Sequence, residues 1–265
     1  MSRQPSSIGR RYGWRKSLAD KSRNYKFAAN FGVLANLPPL VDLRPQDSPI
    51  VDQGQLGSCT ANAIGAALAF DQGKQGGAIV QPSRLQLYYD ERAMEGNINE
   101  DAGAEIKDGI QCAVKIGVAP ETLWPYNIDR FAEKPPSQVY AAAEKNQALV
   151  YSEVSQNLCQ MKGCLAQGYP IVIGFSVYDS FESDAVASTG VVPMPDTDNE
   201  SLLGGHAVMV VGYDDASRRF IVRNSWGTGW GDPQHPGYCT LPFDYLLNAN
   251  LSSDFWTVFS VELPA

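Results

Sequence analysis

The sequence predicts an α+β fold of two lobes, one helical and one built on an antiparallel sheet, with a cleft between them. Helical patterns fill the first half of the chain, and β-branched and aromatic runs bounded by turn residues fill the second. A length of 265 residues with 44% apolar residues suffices for a large core. We expect the helical lobe at about 50–150 and the β lobe at about 151–265.

Charge is distributed unevenly along the chain. Residues 1–38 hold eight Lys or Arg against one Asp, a net charge of +7, which leaves −15 for residues 39–265 of a chain whose total is −8. Five aromatic residues lie among these cations. The segment 1–38, called the leader below, is therefore predicted to dock on the acidic body. A solvated tail, or one that binds nucleic acid, is the less favoured alternative.

Four helices are predicted. The first begins at Cys59, after the glycine-rich loop 52–58, because the residues that follow it carry almost no charge and suit a buried helix. Ser83 is a suitable N-cap for the second helix. Residues 104–116 keep a 3–4 apolar spacing that ends at a glycine, and a short helix is expected at 137–147.

Strands are predicted at 169–177, 206–213, 219–224 and 255–263, and a short extended piece at 40–44. Residues 214–217 are a suitable hairpin turn between the second and third of these strands. The segment 178–205 is rich in Ser, Asp, Pro and Gly and is expected to be a long loop.

Cys59 is the first candidate for chemistry. It lies at the N-terminus of its predicted helix, where unpaired N–H groups and the positive end of the helix dipole favour the thiolate, which is the nucleophilic form. This position alone leaves a packed, unreactive thiol as an equal alternative.

The two histidines differ in their surroundings. His235 lies in a loop of turn-forming residues, where a surface role is expected, whereas His206 opens an apolar strand. Asn224 ends the next strand, and a hairpin brings the start of one strand beside the finish of the other. A cysteine nucleophile needs a base, and the base needs an orienting partner. Cys59, His206 and Asn224 therefore form a candidate catalytic set.

These motifs closely resemble the papain-like cysteine peptidases (papain family C1), in a bacterial, xylellain-like branch. The resemblance runs from about Pro39 to the C-terminus, and rests on these segments: Val41-Asp42-Leu43-Arg44, Gln53…Cys59, Trp124-Pro125-Tyr126, Gly205-His206-Ala207 and Asn224-Ser225-Trp226-Gly227…Trp230-Gly231. It implies a papain-like fold and an endopeptidase that hydrolyses polypeptides through a thioester on Cys59.

The resemblance also implies residue roles. Cys59 is the nucleophile, His206 is its ion-pair partner and later its general acid, and Asn224 orients the imidazole. The Gln53 amide and the Cys59 N–H would form the oxyanion hole, and Trp226 would shield the Asn224–His206 hydrogen bond from water. Substrate-binding positions are expected at Gly103, Ala104, Gly205 and Trp226, with Gly103 bonding the substrate backbone and Ala104 near the second subsite.

Two departures from the family pattern concern the loop before Cys59. Leu56 replaces a cysteine that normally anchors this loop through a disulfide, and Thr60 replaces an aromatic residue. The loop must then be held by packing. The other cysteines could be thiols or disulfides, and they are Cys112, Cys159, Cys164 and Cys239.

Partners follow from the same reasoning. Polypeptides are the expected substrates, and residues 1–38 are expected to inhibit in cis by covering the cleft of domain 39–265. The sequence has no CxxC or His-rich cluster, so we expect no metal and no cofactor. No apolar run could span a membrane and no signal peptide is evident, so a monomer that is cytoplasmic or non-classically secreted is expected.

Two alternative functions stay open at this point. One is a thiol amidase, deamidase or transferase that uses the same triad. The other is a catalytically silent binding protein of this fold.

Overall fold

An antiparallel sheet of seven strands organises the structure. The computed structural model describes residues 10–17 and 24–261 of the chain. The strand order is β2-β9-β3-β4-β5-β8, with β1 also paired to β4. A separate two-stranded ribbon joins β6 and β7. The strands are β1 (Leu40–Asp42), β2 (Ala148–Glu153), β3 (Ile171–Tyr178), β4 (Leu202–Asp214), β5 (Arg219–Arg223), β6 (Gly231–Asp232), β7 (His235–Pro236), β8 (Tyr238–Pro242) and β9 (Ser252–Val261).

One helix, α2, is buried along almost its whole length. Every residue from Cys59 to Gln72 is buried, as expected for a run of small and apolar residues. It packs against β4 and β9 on one side and against α3 and α4 on the other. The helices are α1 (Phe31–Ala35), α2 (Cys59–Lys74), α3 (Arg84–Glu95), α4 (Ile106–Lys115), α5 (Ser137–Ala143), α6 (Leu158–Ala166), α7 (Asp184–Thr189) and α8 (Phe243–Leu247).

Most of the predicted elements are present. The four predicted strands correspond to β3, β4, β5 and β9, and the short extended piece is β1. Ser83 caps α3, since its side chain accepts a hydrogen bond from the Gln86 N–H. The strands β4 and β5 form the expected hairpin around residues 214–217. The boundaries of the leader and of the two lobes stay predictions.

The segment 178–205 is not a simple loop. It contains α7, whose N-terminus is capped by the Ser183 side chain, and it already enters β4 at Leu202. Serine and aspartate, which suggested a loop, here form a short helix start instead. The strands β2 and β8 and the helix α6 were not predicted.

The described residues include neither a membrane-spanning helix nor a metal-binding cluster. None of the helices in these ranges is long and apolar enough to cross a membrane. Nor do His, Cys, Asp and Glu side chains form a group of three or more that could hold a metal ion in this part of the chain. All five cysteines are free thiols.

Candidate active site

The Cys59 thiol lies fully buried at the first position of α2. Burial raises its pKa to about 11, while hydrogen bonds from backbone N–H groups of Ala207, Gly13 and Thr60 oppose the rise. Ala207 belongs to β4 and Thr60 to α2. The thiol therefore lies where the central helix faces the sheet, next to the residue that follows His206.

His206 and Asn224 are joined by a hydrogen bond. The distance between His206 Nε2 and Asn224 Oδ1 is 2.8 Å. Asn224 Oδ1 also accepts from the backbone N–H of Ser225 at 2.8 Å, which identifies this atom as the oxygen. Nε2 must then carry the proton. The other ring nitrogen, Nδ1, is buried, has no hydrogen-bond partner among the described residues, and is the basic atom of the neutral ring.

Aromatic rings surround His206. The Trp226 ring lies 5.1 Å from it, centroid to centroid, at 30° between the planes. Phe175 and Phe181 meet it edge-on. Burial is the main cause that lowers the pKa of His206 to about 4, and the positive charge of the nearby Arg10 also lowers it. The hydrogen bond to Asn224 acts in the opposite direction and raises it. Burial therefore favours the uncharged forms of both Cys59 and His206 while the leader covers the site.

The Gln53 amide is oriented by Ser225, the residue that follows Asn224. Its Oε1 accepts from the Ser225 hydroxyl at 2.6 Å, and its backbone N–H donates to the Ser225 carbonyl at 2.8 Å. Its Nε2 donates to the Leu56 carbonyl at 3.0 Å and more weakly to the Arg11 carbonyl at 3.4 Å. The amide N–H group thus faces a carbonyl of the leader.

The leader residues 10–17 bond with both sides of this site. The Trp14 N–H donates to the Gly205 carbonyl at 2.9 Å. The backbone of Ala104 bonds to the residues on both sides of Trp14. Its N–H donates to the Gly13 carbonyl at 2.7 Å and its carbonyl accepts from the Arg15 N–H at 3.0 Å. Trp14 and Ala104 thus form a parallel β-bridge. Of the four expected substrate-binding residues, Ala104 and Gly205 therefore make main-chain hydrogen bonds to the leader.

Gly103 and Trp226 contact the leader differently. A Cβ atom added to Gly103 would lie well under 3.0 Å from the backbone of Gly13, so this glycine permits close approach. The Arg10 guanidinium lies over the Trp226 ring, 4.7 Å from its centroid. Tyr12 meets the His206 ring edge-on at 5.8 Å and donates from its hydroxyl to the Glu182 carboxylate.

Trp14 fills an apolar pocket beside the site. Its side chain is only 8% exposed. Cβ atoms added at Gly174 or Gly205 would collide with its indole ring, so the absence of side chains there makes room for it. The two glycines lie on β3 and β4, which pair antiparallel in the sheet.

Ion pairs match the leader's cations to acids of the body. Those in the described residues are Arg10 with Asp52 (3.7 Å), Arg11 with Asp101 (3.1 Å), Arg15 with Glu95, and Lys26 with Glu153 (2.7 Å). Each body acid belongs to the strongly negative segment 39–265. The uneven charge along the sequence thus corresponds to specific ion pairs between the leader and the rest of the chain.

A carboxylate anchors the loop before Cys59. Asp101 Oδ1 accepts from the Gly57 N–H at 3.0 Å and from the Tyr88 hydroxyl at 2.5 Å. The same hydroxyl accepts from the Gly103 N–H at 3.1 Å. Leu56 is buried, so packing contributes as expected. The hydrogen bonds of Asp101 and Tyr88 were not foreseen, because no local pattern marks either residue.

His235 lies apart from these residues. Its Nδ1 is 2.8 Å from an Asp232 carboxylate oxygen, and its side chain is 42% exposed. The structure thus separates the two histidines as the sequence suggested, with one buried beside Asn224 and one on the surface.

Known proteins share this architecture. Residues 37–245 match the family model described as papain family cysteine protease. An uncharacterized peptidase C1-like protein of Acanthamoeba polyphaga mimivirus is 40% identical over an alignment of 283 positions that covers 98% of this chain and 90% of the relative. A cathepsin L-like peptidase of Aedes aegypti is 31% identical over 208 residues, which span 74% of this chain and 57% of the relative.

A solved structure is similar over nearly the full chain. Xylellain, a cysteine protease from Xylella fastidiosa, superposes with a TM-score of 0.87 at 41% identity, covering 93% of this chain and 95% of the other. This likeness confirms the papain-like fold and the xylellain-like resemblance inferred from the sequence. The chain belongs to the papain family of cysteine proteases and is a cysteine peptidase.

Proposed function

We propose that the protein is an endopeptidase whose Cys59 forms a thioester with the acyl half of a polypeptide substrate. The observation that carries this proposal is the His206–Asn224 hydrogen bond of 2.8 Å. Because Asn224 Oδ1 fixes the proton on Nε2, Nδ1 is left as a base for the thiol. A catalytically silent protein would have no need of a buried imidazole with one nitrogen oriented and the other unpaired.

The reaction has two halves. His206 Nδ1 takes the proton of Cys59, the thiolate sulfur attacks the substrate carbonyl carbon, and His206 then returns the proton to the leaving amine as the C–N bond breaks. In the second half a water molecule loses a proton to His206 and attacks the thioester, which releases the carboxylic acid and restores the thiol.

Gln53 and the Cys59 N–H would stabilise the oxyanion that forms in both halves. The Gln53 side chain is fixed before the reaction by the Ser225 hydroxyl at 2.6 Å. Its amide N–H already donates to a carbonyl, that of Arg11, at 3.4 Å. Removing one such donor typically costs about 10²–10³ in rate.

The leader would inhibit this reaction in cis. The backbone N–H of Gly13 faces the Cys59 thiol while the leader is in place. Trp14 occupies the pocket between Gly174 and Gly205, and Tyr12 covers the His206 ring. Substrate could reach Cys59 only after these residues leave.

A glycine of the leader permits a direct test in the full chain. A Cβ added to Gly13 would lie well under 3.0 Å from the backbone of Gly57, so Gly13→Ala should expel the leader. Gly32→Ala is the matched control, since a Cβ there would meet only the Asn30 side chain at 3.2 Å. Cleavage of a mixed peptide library would be followed by mass spectrometry.

We expect Gly13→Ala to cleave the library at least about tenfold faster than the wild type, and Gly32→Ala to behave as the wild type. Adding Cys59→Ala to Gly13→Ala should abolish cleavage. Internal cleavage that survives Cys59→Ala would refute the mechanism. Ammonia release without internal cleavage would identify an amidase instead.

A further inference from the structure

We propose that Asn62 and Arg84 are positioning residues that strengthen the oxyanion hole through the backbone of the loop 52–58. The inference rests on the proposed peptidase function, in which the Cys59 N–H and the Gln53 amide stabilise the oxyanion. Both side chains are buried, and their hydrogen bonds connect them to the two peptide groups that hold these donors.

Asn62 binds the peptide group that contains the Cys59 N–H. The carbonyl of that group belongs to Ser58, and it accepts the usual helix hydrogen bond from the Asn62 backbone N–H at 3.0 Å. It also accepts a second hydrogen bond from Asn62 Nδ2 at 2.9 Å. Each hydrogen bond to a peptide carbonyl polarises the group, so the Cys59 N–H becomes a better donor to a developing oxyanion.

Arg84 orients the Asn62 amide for this contact. Arg84 Nη1 lies 3.0 Å from one amide atom of Asn62 and can only donate, so that atom is the oxygen and Nδ2 faces Ser58. The charge of the guanidinium also polarises the amide that it binds. Glu121 holds Arg84 Nε and Nη2 through two hydrogen bonds of 2.8 Å each, which leaves Nη1 for Asn62.

The same guanidinium supports the backbone of Gln53. Arg84 Nη1 also donates to the Asp52 carbonyl at 3.1 Å, and this carbonyl shares a peptide group with the Gln53 N–H. The Tyr126 ring lies 4.0 Å from the guanidinium carbon of Arg84, and the Tyr126 hydroxyl donates to the Gln53 carbonyl at 2.9 Å. Both peptide groups of Gln53 are therefore hydrogen-bonded, which restricts the movement of its side-chain amide.

A second buried amide in α2 provides a matched control. Gln72 lies near the C-terminal end of the helix, donates to Asn146 Oδ1 at 2.9 Å and accepts from the Val80 N–H at 3.0 Å. Asn62→Leu and Gln72→Met each replace a buried, hydrogen-bonded amide by an apolar side chain of similar volume. Both should lower the free energy of unfolding in urea, but only Asn62 binds the loop before Cys59.

The experiment uses the full chain with Gly13→Ala to open the site, or with Trp14→Ala if Cys59 stays unreactive. Three quantities are measured: kcat and KM for a peptide, the Kd of a peptide aldehyde, and the rate of Cys59 alkylation by iodoacetamide. In the aldehyde adduct the Cys59 sulfur bonds to the carbonyl carbon, and the carbonyl oxygen takes the thiol proton and lies at the oxyanion position. Alkylation displaces iodide from a saturated carbon and forms no oxyanion.

For Asn62→Leu we expect kcat to fall and the aldehyde Kd to rise by about three- to tenfold, with little change in KM or in the alkylation rate. This is a fraction of the loss of about 10²–10³ expected when an oxyanion donor is removed. Arg84→Lys keeps the charge but not the fixed geometry of the guanidinium, so it should cause a loss in the same direction. Gln72→Met should leave all three quantities unchanged.

An unchanged aldehyde Kd in Asn62→Leu would overturn the inference. Equal losses of kcat and of the alkylation rate would also overturn it, because they would show a general disturbance of Cys59. If Asn62→Leu fails to fold, the same comparison in Arg84→Lys decides. A parent chain that binds the aldehyde and is alkylated but cleaves no peptide would overturn the peptidase proposal, while the aldehyde Kd would still test Asn62.

Discussion

The Ser225 hydroxyl donates a 2.6 Å hydrogen bond to the side-chain oxygen of Gln53, two residues that are 172 positions apart. Ser225 directly follows Asn224, and its own N–H donates to the Asn224 side chain. The residue that helps to hold the imidazole partner therefore also holds the proposed oxyanion donor. Asn224 and Gln53 are therefore both hydrogen-bonded to Ser225, which lies just after β5.

Ser225→Ala should therefore slow catalysis without blocking it. We expect kcat to fall about three- to tenfold in the Gly13→Ala background, with a smaller change in KM, because Gln53 loses the partner of its Oε1. Gln53→Ala should cost about 10²–10³. In a double-mutant cycle the combined variant should be no worse than Gln53→Ala. Additive losses would show that Ser225 acts independently of Gln53.

The pKa of His206 should change when the leader leaves. While the leader covers the site, burial makes the largest contribution to lowering the pKa of His206 from 6.5 to about 4, and the charge of Arg10 makes a smaller one. Removal of the leader returns water to the ring and takes Arg10 away, so the pKa should rise. Because the chain has only two histidines, NMR titration can follow both rings, and His235→Gln would assign them.

The sign of the pH effect on leader binding follows from this difference. The His206 ring is neutral while the leader is bound. The contribution of this neutral ring to leader binding is therefore fully present above pH 6.5 and is lost as the pH falls from 6.5 through about 4. Acid should therefore favour the open chain, and Arg10→Ala should weaken the dependence. A His206 resonance that titrated near 6.5 in the wild-type chain would contradict this account.

Glu91 contributes to stability in its neutral form. It is fully buried, burial raises its pKa well above the ordinary value, and its Oε2 accepts from the Thr60 hydroxyl at 2.7 Å. Its Oε1 has no hydrogen-bond partner among residues 10–17 and 24–261. Since the unfolded carboxyl ionises more readily, the wild type should lose stability as the pH rises above about 4.5.

Glu91→Gln should remove that loss, so its free energy of unfolding should match that of the wild type to within about 1 kcal/mol below pH 4.5 and exceed it at neutral pH. Glu91→Ala should cost about 2–3 kcal/mol, because it leaves a cavity and an unpaired Thr60 hydroxyl. Urea unfolding at several pH values would measure both. Identical pH slopes in the wild type and Glu91→Gln would contradict the assignment.

A buried ion pair anchors the loop that precedes Gln53. Arg223 and Asp47 are 3.0 Å apart, with side chains 3% and 1% exposed. Arg223 also donates to the carbonyls of Ser48 and Pro49. Asp47→Ala should lower the free energy of unfolding by about 3–5 kcal/mol, because it leaves a buried charge unpaired.

Glu133→Gln is the control for the Asp47 experiment. Glu133 pairs with Arg130 at 2.8 Å on the surface, where both side chains are more than a third exposed. Its loss should change stability by less than about 0.5 kcal/mol. Similar effects of the two substitutions in urea unfolding would show that burial of Asp47 does not decide its contribution.

The placement of the candidate catalytic residues could be predicted because it follows from local sequence patterns. Cys59 lies at the start of a helix, and the hairpin of β4 and β5 is enough to bring His206 close to Asn224. The fold class followed from helices preceding strands. These inferences need only the periodicity of one segment at a time.

Other features depend on contacts between distant parts of the chain. Asp101 meets Gly57 from 44 residues away, and nothing in its neighbours marks it as the anchor of that loop. The strand β2 alternates poorly, with two exposed apolar residues on the sheet edge, so its pattern gave no signal. The short helix α7 begins with Ser and Asp, which are equally common in loops.

Asp101, and not a disulfide, anchors the loop before Cys59, and this has a consequence for redox chemistry. A catalytic thiol works only while it is reduced, whereas a disulfide in the same loop would need an oxidant to form. Here all five cysteines are free, and the loop is secured by hydrogen bonds that no reductant can break. The same strong reducing agent that protects Cys59 should leave the loop around it intact.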